Sequence, residues 1–173
     1  VFILTGVGLS TGAKIIMGRR NGEKNFAQIG AIFDQTIYLL SFISLLVFIL
    51  LQFIAPVLLE NITSSPAIYT ATIEFLYYRS FGVLFHFLNF VFIAFYVGTT
   101  NTKVLIHTTI AMMLVNVFFD YALIFGNFGF PRMEIKGAAI ASVLAELVAF
   151  CYLVVYTHKN AFVKQFQLFK FKT

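Results

Sequence analysis

Four stretches of this chain, residues 36–59, 73–97, 104–125 and 137–156, are apolar over the roughly 20 residues that a helix needs to cross the hydrocarbon of a bilayer. Such runs, recurring after short polar breaks, leave few folds open, because most of the sequence must be dissolved in lipid. Composition agrees: 60% of residues are hydrophobic, 11% are charged and the mean hydropathy is +0.92. A soluble domain of 173 residues needs far more polar surface to cover its core.

The opening run VFILTGVGLSTGAKIIM has no basic segment or small-residue cleavage pattern before it, so it reads as the back half of a truncated spanning helix and not as a signal peptide. The expected fold is an all-α polytopic membrane protein with one truncated plus four complete transmembrane helices. The joints are GRRNGEKNFAQIG, ENITSSPAIYT, GTTNTK and GNFGFPRMEIK, and each carries Gly, Pro, Asn or Ser. Residues 1–157 form the expected helical bundle, and residues 158–173 a cytoplasmic basic tail or a linker between lobes. Phe162, Phe166 and Phe169 follow helical spacing between lysines, the pattern of an amphipathic segment on the membrane surface. The single Cys151 can build neither a disulfide framework nor a cysteine metal site.

The net charge of +5 is distributed as membrane topology requires, not as a nucleic-acid patch. With alternating helices, one side holds Lys14, Arg19, Arg20, Lys24, Lys103 and the four lysines of the tail. The other side holds Arg132 and Lys136, with Arg79 just inside its helix. This bias places the first joint and the tail in the cytoplasm, and the expected location is the cytoplasmic (inner) membrane. Tyr77, Tyr78, Tyr96 and Tyr156 stand where interfacial anchors belong.

Polar residues inside the spans are the candidate functional ones. Asn116 and Asp120 lie four apart on one helix face, with Thr109 and Met113 on nearly the same line. An ionised carboxylate at the centre of a helix costs about 3 kcal/mol on insertion scales, so Asp120 must face a bundle interior or a watery cavity, and it is a candidate proton site. The alternative is a structural polar residue bonded to Asn116 and a neighbour. In GAAIASVLAELVAF the small residues Gly137, Ala141, Ala145 and Ala149 repeat every four, the spacing that lets helix backbones approach. Ser142 and Glu146 form an adjoining polar face, with Glu146 either a second titrating group or an internal hydrogen-bonding residue. Arg79 and Glu74 read as residues that snorkel to the interface. Asn89 is a candidate cavity residue, His86 a satisfied interior histidine, and His107 lies away from the stripe. GLSTG, residues 8–12, fits the GxSxG pattern of serine hydrolases, but it sits in an apolar helix instead of a strand-to-helix elbow.

NVFFDYALIFG followed by IKGAAIAS resembles the fifth and sixth helices of multidrug and toxic compound extrusion (MATE) transporters. YYRSFG, FYVGTTNTKV and IIMGRRNGEKN resemble that family's fourth helix, the turn after it and the end of its second helix, in the same order. The resemblance covers nearly the whole chain. It implies most of the first six-helix lobe of a twelve-helix antiporter that exchanges protons or sodium for organic cations. It also implies that Asn116, Asp120 and Ser142 form the cation-coupling network, together with a first-helix Asp outside this chain. Asn89, Thr109, Met113 and Glu146 are then cavity-lining residues. The expected partners are the bilayer, small organic cations and the remainder of the transporter, with no nucleic acid, and the proton or sodium ion takes the place of a cofactor. The competing readings are a lipid-linked oligosaccharide flippase of the same superfamily, a non-transporting membrane subunit or channel, and an intramembrane serine protease using Ser10. A flippase needs a cationic cavity for phosphates, whereas here Arg79 stands alone among the spans.

Overall fold

The structure, a computed structural model, describes residues 2–169. The helices are α1 (Phe2–Gly22), α2 (Phe26–Ile49), α3 (Ala55–Ile62), α4 (Pro66–Gly98), α5 (Lys103–Phe125), α6 (Ile135–Lys159) and the short α7 (Ala161–Lys164). A π-helical turn, Leu50–Ile54, joins α2 to α3 into one rod. Among the described residues, four helices, Phe26–Ile62, Pro66–Gly98, Lys103–Phe125 and Ile135–Lys159, are long and apolar enough to cross a membrane.

Each expected span is present and runs past its apolar core, for identifiable reasons. The joint GRRNGEKNFAQIG shrinks to a turn at residues 23–25, because the Asn25 side chain accepts the Gln28 N–H (3.4 Å) and restarts the helix at once. Glu23 closes this turn by accepting from Arg20 (2.6 Å) and Arg19 (3.1 Å), whose guanidinium groups hold its carboxyl below the usual range. Pro66 starts α4 early, since its missing N–H and fixed φ suit the first helical turn. Gly126, at φ +75°, stops α5 in the left-handed conformation that glycine adopts without strain. Within the first rod, Pro56 has no N–H for the carbonyl four residues back, and the helix widens into the π turn immediately before it.

Pairwise contacts fix the direction of every helix. Ser10 donates to the Phe90 carbonyl (3.0 Å), and near the chain's basic end α1 meets α4 backbone to backbone. There a Cβ on Gly98 would lie 2.9 Å from Met17 Cβ and 3.1 Å from the Lys14 carbonyl. So α1 and α4 run parallel. Helix α2 is antiparallel to α4, with Phe33 against Phe92 and Phe95 at one end and Gln52 Nε2 donating to Ser80 Oγ (2.9 Å) toward the other. Helices α5 and α6 approach closely where Gly137 faces the Leu123 and Ile124 backbone. The small residues of α6 are buried, as their spacing predicts. Helix α6 packs on both α4 and α5, while α4 and α5 barely touch, so a groove runs between them with α6 as its floor.

The core gathers at the basic end around Phe33, Phe87, Phe92, Phe95 and Tyr96, all nearly or fully buried. The segment after α6 closes this end. Phe166 is fully buried with its ring edge-on to Phe26 and Phe95 (5.3 and 5.2 Å), and the Phe169 N–H donates to Asp34 Oδ1 (2.9 Å). Gly30 leaves room for the Phe166 carbonyl. Phe162, Phe166 and Phe169 do not continue one helix, because α7 ends at Lys164. Lys170 and Lys172, counted in the charge bias, lie outside the described residues.

Gly137→Val is expected to push α5 from α6 and destabilise the bundle by about 1–3 kcal/mol, since backbone cannot move aside as a side chain can. Gly8→Ala, whose Cβ meets nothing within 4 Å, is the neutral control in the same thermal-unfolding assay in detergent. Phe166→Ala is expected to cost about 3–5 kcal/mol and to expose the tail to trypsin at Lys159 and Lys164.

Candidate functional site

Helices α4 and α6 run parallel and are joined at three levels. Toward the end opposite the basic one, Lys136 Nζ meets Glu74 Oε1 at 2.9 Å. At the basic end the Tyr96 and Thr157 hydroxyls share a hydrogen bond of 2.7 Å. Between them stands Glu146, the twelfth of the 25 residues of α6 and therefore deep in the span. Arg79 clamps its carboxylate with two bonds, Nη1 to Oε2 (3.0 Å) and Nη2 to Oε1 (2.8 Å), and His86 Nδ1 lies 3.0 Å from the same Oε1. Asn89 Nδ2 donates to the Glu146 carbonyl (3.1 Å) one turn further along α4.

This arrangement corrects the reading of Arg79 and Glu74. Neither simply snorkels: Arg79 turns inward to Glu146, and Glu74 pairs with Lys136. An intramembrane charge is stabilised mainly by its counter-charge, and a two-pronged guanidinium fits a carboxylate better than a lone tip fits the interface. Gly82 makes the clamp possible, since a Cβ there would collide with both Arg79 Nη1 and Glu146 Oε2. His86, expected as an interior histidine, has its side chain 29% exposed and its Nδ1 3.0 Å from Glu146 Oε1. Ser10, in mid-helix, gives its hydroxyl to the Phe90 carbonyl and so joins α1 to α4, whereas a Cβ on Gly8 or Gly12 would meet nothing within 4 Å.

The groove between α4 and α5 holds two cavities that share Met112. One, of about 220 Å³, is lined by Arg79, Met113, Asn116, Ser142, Ala145 and Glu146. Asn116 and Ser142 thus share a cavity with Glu146 and Met113. The other, of about 260 Å³, lies nearer the basic end and is lined by Asn89, Thr108, Thr109, Leu105 and Leu153 among others. Asn89 is 7% exposed, and its Oδ1 accepts no hydrogen bond among the described residues. Asp120, half-buried one turn beyond Asn116, is not among the residues lining either cavity and makes no hydrogen bond within the described residues. His107 is exposed. No group of three His, Cys, Asp or Glu side chains converges to hold a metal among the described residues.

Sequence reasoning separated residues that the fold joins. Arg79 and Glu146 lie 67 positions apart, and Gln52, in the π turn, was not singled out at all. The rule that charges within a membrane find partners is the signal that connects Arg79 to Glu146. Glu146→Gln alone strands Arg79 and is expected to destabilise the bundle by about 3–5 kcal/mol. Arg79→Gln combined with Glu146→Gln is expected to restore most of that loss, measured as thermal unfolding in detergent.

The MatE family pattern matches residues 1–122. The chain is 25% identical over 160 residues to the "Probable multidrug resistance protein YoeA" of Bacillus subtilis (strain 168), covering 92% of this chain and 35% of that protein. It is 28% identical over 169 residues to the "Probable multidrug resistance protein NorM" of Bacillus licheniformis, covering 96% and 37%. The chain therefore spans about a third of the length of the curated relatives it matches. In fold it is similar to a solved structure described as the "Inward-facing conformation of a multidrug resistance MATE family transporter of the MOP superfamily", with a TM-score of 0.83 and 17% identity over 92% of this chain and 36% of that one. A multi-pass helical membrane protein with these matches belongs to the MatE family, the multidrug and toxic compound extrusion transporters that its sequence resembles.

Proposed function

We propose that the chain is part of a cation-coupled antiporter that exports organic cations across the cytoplasmic membrane, with the proton or sodium ion bound at Asp120, Asn116 and Ser142. The observation that carries this reading is the shared cavity of Asn116 and Ser142, on facing sides of α5 and α6, with Asp120 one turn further along α5. These three side chains offer only oxygen and amide groups, which suit a proton or a sodium ion. The names of the relatives, probable multidrug resistance proteins, support the cargo class.

A proton neutralises Asp120 and a sodium ion compensates its charge, and either change biases the lobe between two arrangements that open a cavity to one side or the other. Moving such an equilibrium from 1:99 to 99:1 takes about 5.5 kcal/mol. The bilayer and the second lobe are the partners of this reading, and Asn89, Thr109, Met113 and Glu146 line the path. A flippase would need free cationic groups in the groove for phosphates. Arg79 is instead bound to Glu146, which favours the exporter.

The test is efflux of ethidium by the full-length transporter under imposed proton or sodium gradients. Wild type is expected to export the dye under one of the gradients, and Asp120→Asn to lose at least tenfold in rate at equal expression. Equal export by both would assign Asp120 a structural role and place coupling elsewhere.

A further inference from the structure

The Arg79–Glu146 clamp has a feature that a simple strut between helices does not need: it faces a cavity. Arg79, Glu146, Asn116, Ser142 and Met113 line the same 220 Å³ of space. The two partners are also unequally held. The Glu146 side chain is 8% exposed and keeps a second contact to His86 Nδ1, whereas the Arg79 side chain is 23% exposed and, among the described residues, both hydrogen bonds of its guanidinium go to Glu146. If one partner leaves, it is Arg79, on its long flexible stem. The carboxylate stays in place, oriented by His86 and by the Asn89 bond to its own backbone.

We propose that Glu146 is the specificity-determining counter-charge for cationic cargo in this groove, and that Arg79 is its resident substitute, displaced when an organic cation enters. This rests on the exporter reading and names the residue that selects the charge of the cargo. With the groove empty, Arg79 neutralises the carboxylate and no bare charge stands in the span, which the lipid would penalise. With an organic cation present, the carboxylate exchanges one soft, delocalised positive charge for another, and the methionine side chains and the apolar floor of α6 take the body of the molecule. A neutral molecule cannot displace Arg79, and an anion meets a guanidinium already neutralised.

The experiment is equilibrium binding to the purified full-length transporter of ethidium, a cationic probe, and Nile red, an uncharged one of similar size. The double variant Arg79→Gln/Glu146→Gln removes both charges and keeps polar side chains in place. It is expected to raise the ethidium Kd at least tenfold and to leave the Nile red Kd within twofold. Arg79→Lys keeps the charge but cannot form the two-pronged clamp, so it is expected to tighten ethidium binding about threefold or more. Ethidium binding unchanged in the double variant overturns the proposal and leaves the pair as a link between helices. Should the double variant fail to fold, Arg79→Lys decides alone, and unchanged or weaker ethidium binding there overturns it. Binding with these shifts but without gradient-driven efflux in wild type would sink the exporter reading while this site stands.

Discussion

An arginine and a glutamate in the middle of a membrane must find each other, and much of this structure follows from that requirement. In hydrocarbon, an unpaired charge at the helix centre costs several kcal/mol. The bidentate Arg79–Glu146 contact therefore fixes the axial register of α4 against α6, and Glu74–Lys136 and Tyr96–Thr157 fall into line on either side of it. Helix α4 can hold this position because it is also gripped from behind, by Ser10 of α1 and Gln52 of the π turn. Its glycines sit where neighbours come closest: Gly82 under the ion pair and Gly98 against Met17.

The same packing explains why the groove exists. Helix α6 carries small residues on the face that meets α5 and α4, so it approaches both closely, while α4 and α5 are held apart across it. Large side chains at those positions would have lifted α6 away and filled the space. The polar side chains that survive in the groove, Asn89, Thr109, Asn116, Ser142 and Glu146, line its walls and floor. They are distributed over two cavities, Asn89 and Thr109 in one and Asn116, Ser142 and Glu146 in the other.

Spans, their order and the small-residue face of α6 were legible from the sequence, since each depends on local periodicity and on the length that a bilayer imposes. Helix ends were less so: Asn25 and Pro66 extend helices into polar segments where hydropathy is silent. Asn116, Ser142 and Glu146 could be picked out individually as polar residues in apolar surroundings. Their meeting in one cavity depends on how α5 and α6 rotate against each other, which no single-helix pattern contains. Arg79 was misread because the local alternative, snorkelling, can be evaluated within one helix, whereas its actual partner lies two helices away. The fold of residues 160–169 onto the bundle was hidden for a similar reason, as Phe166 fills a space made by Phe26 and Phe95.

The separation of Arg79 from Glu146 also bears on how the chain is made. Helix α4 leaves the ribosome with its arginine, and the counter-charge follows 67 residues later, after α5 has been synthesised. At about 5–20 residues per second that interval is roughly 3–13 seconds. Throughout it, α4 carries its arginine without the Glu146 partner, at a cost of about 3 kcal/mol on insertion scales. Because α4 and α6 are parallel, the pair closes only once α5 has crossed back. The ion pair thus lowers the cost of holding α4 in the bilayer only once α6 arrives.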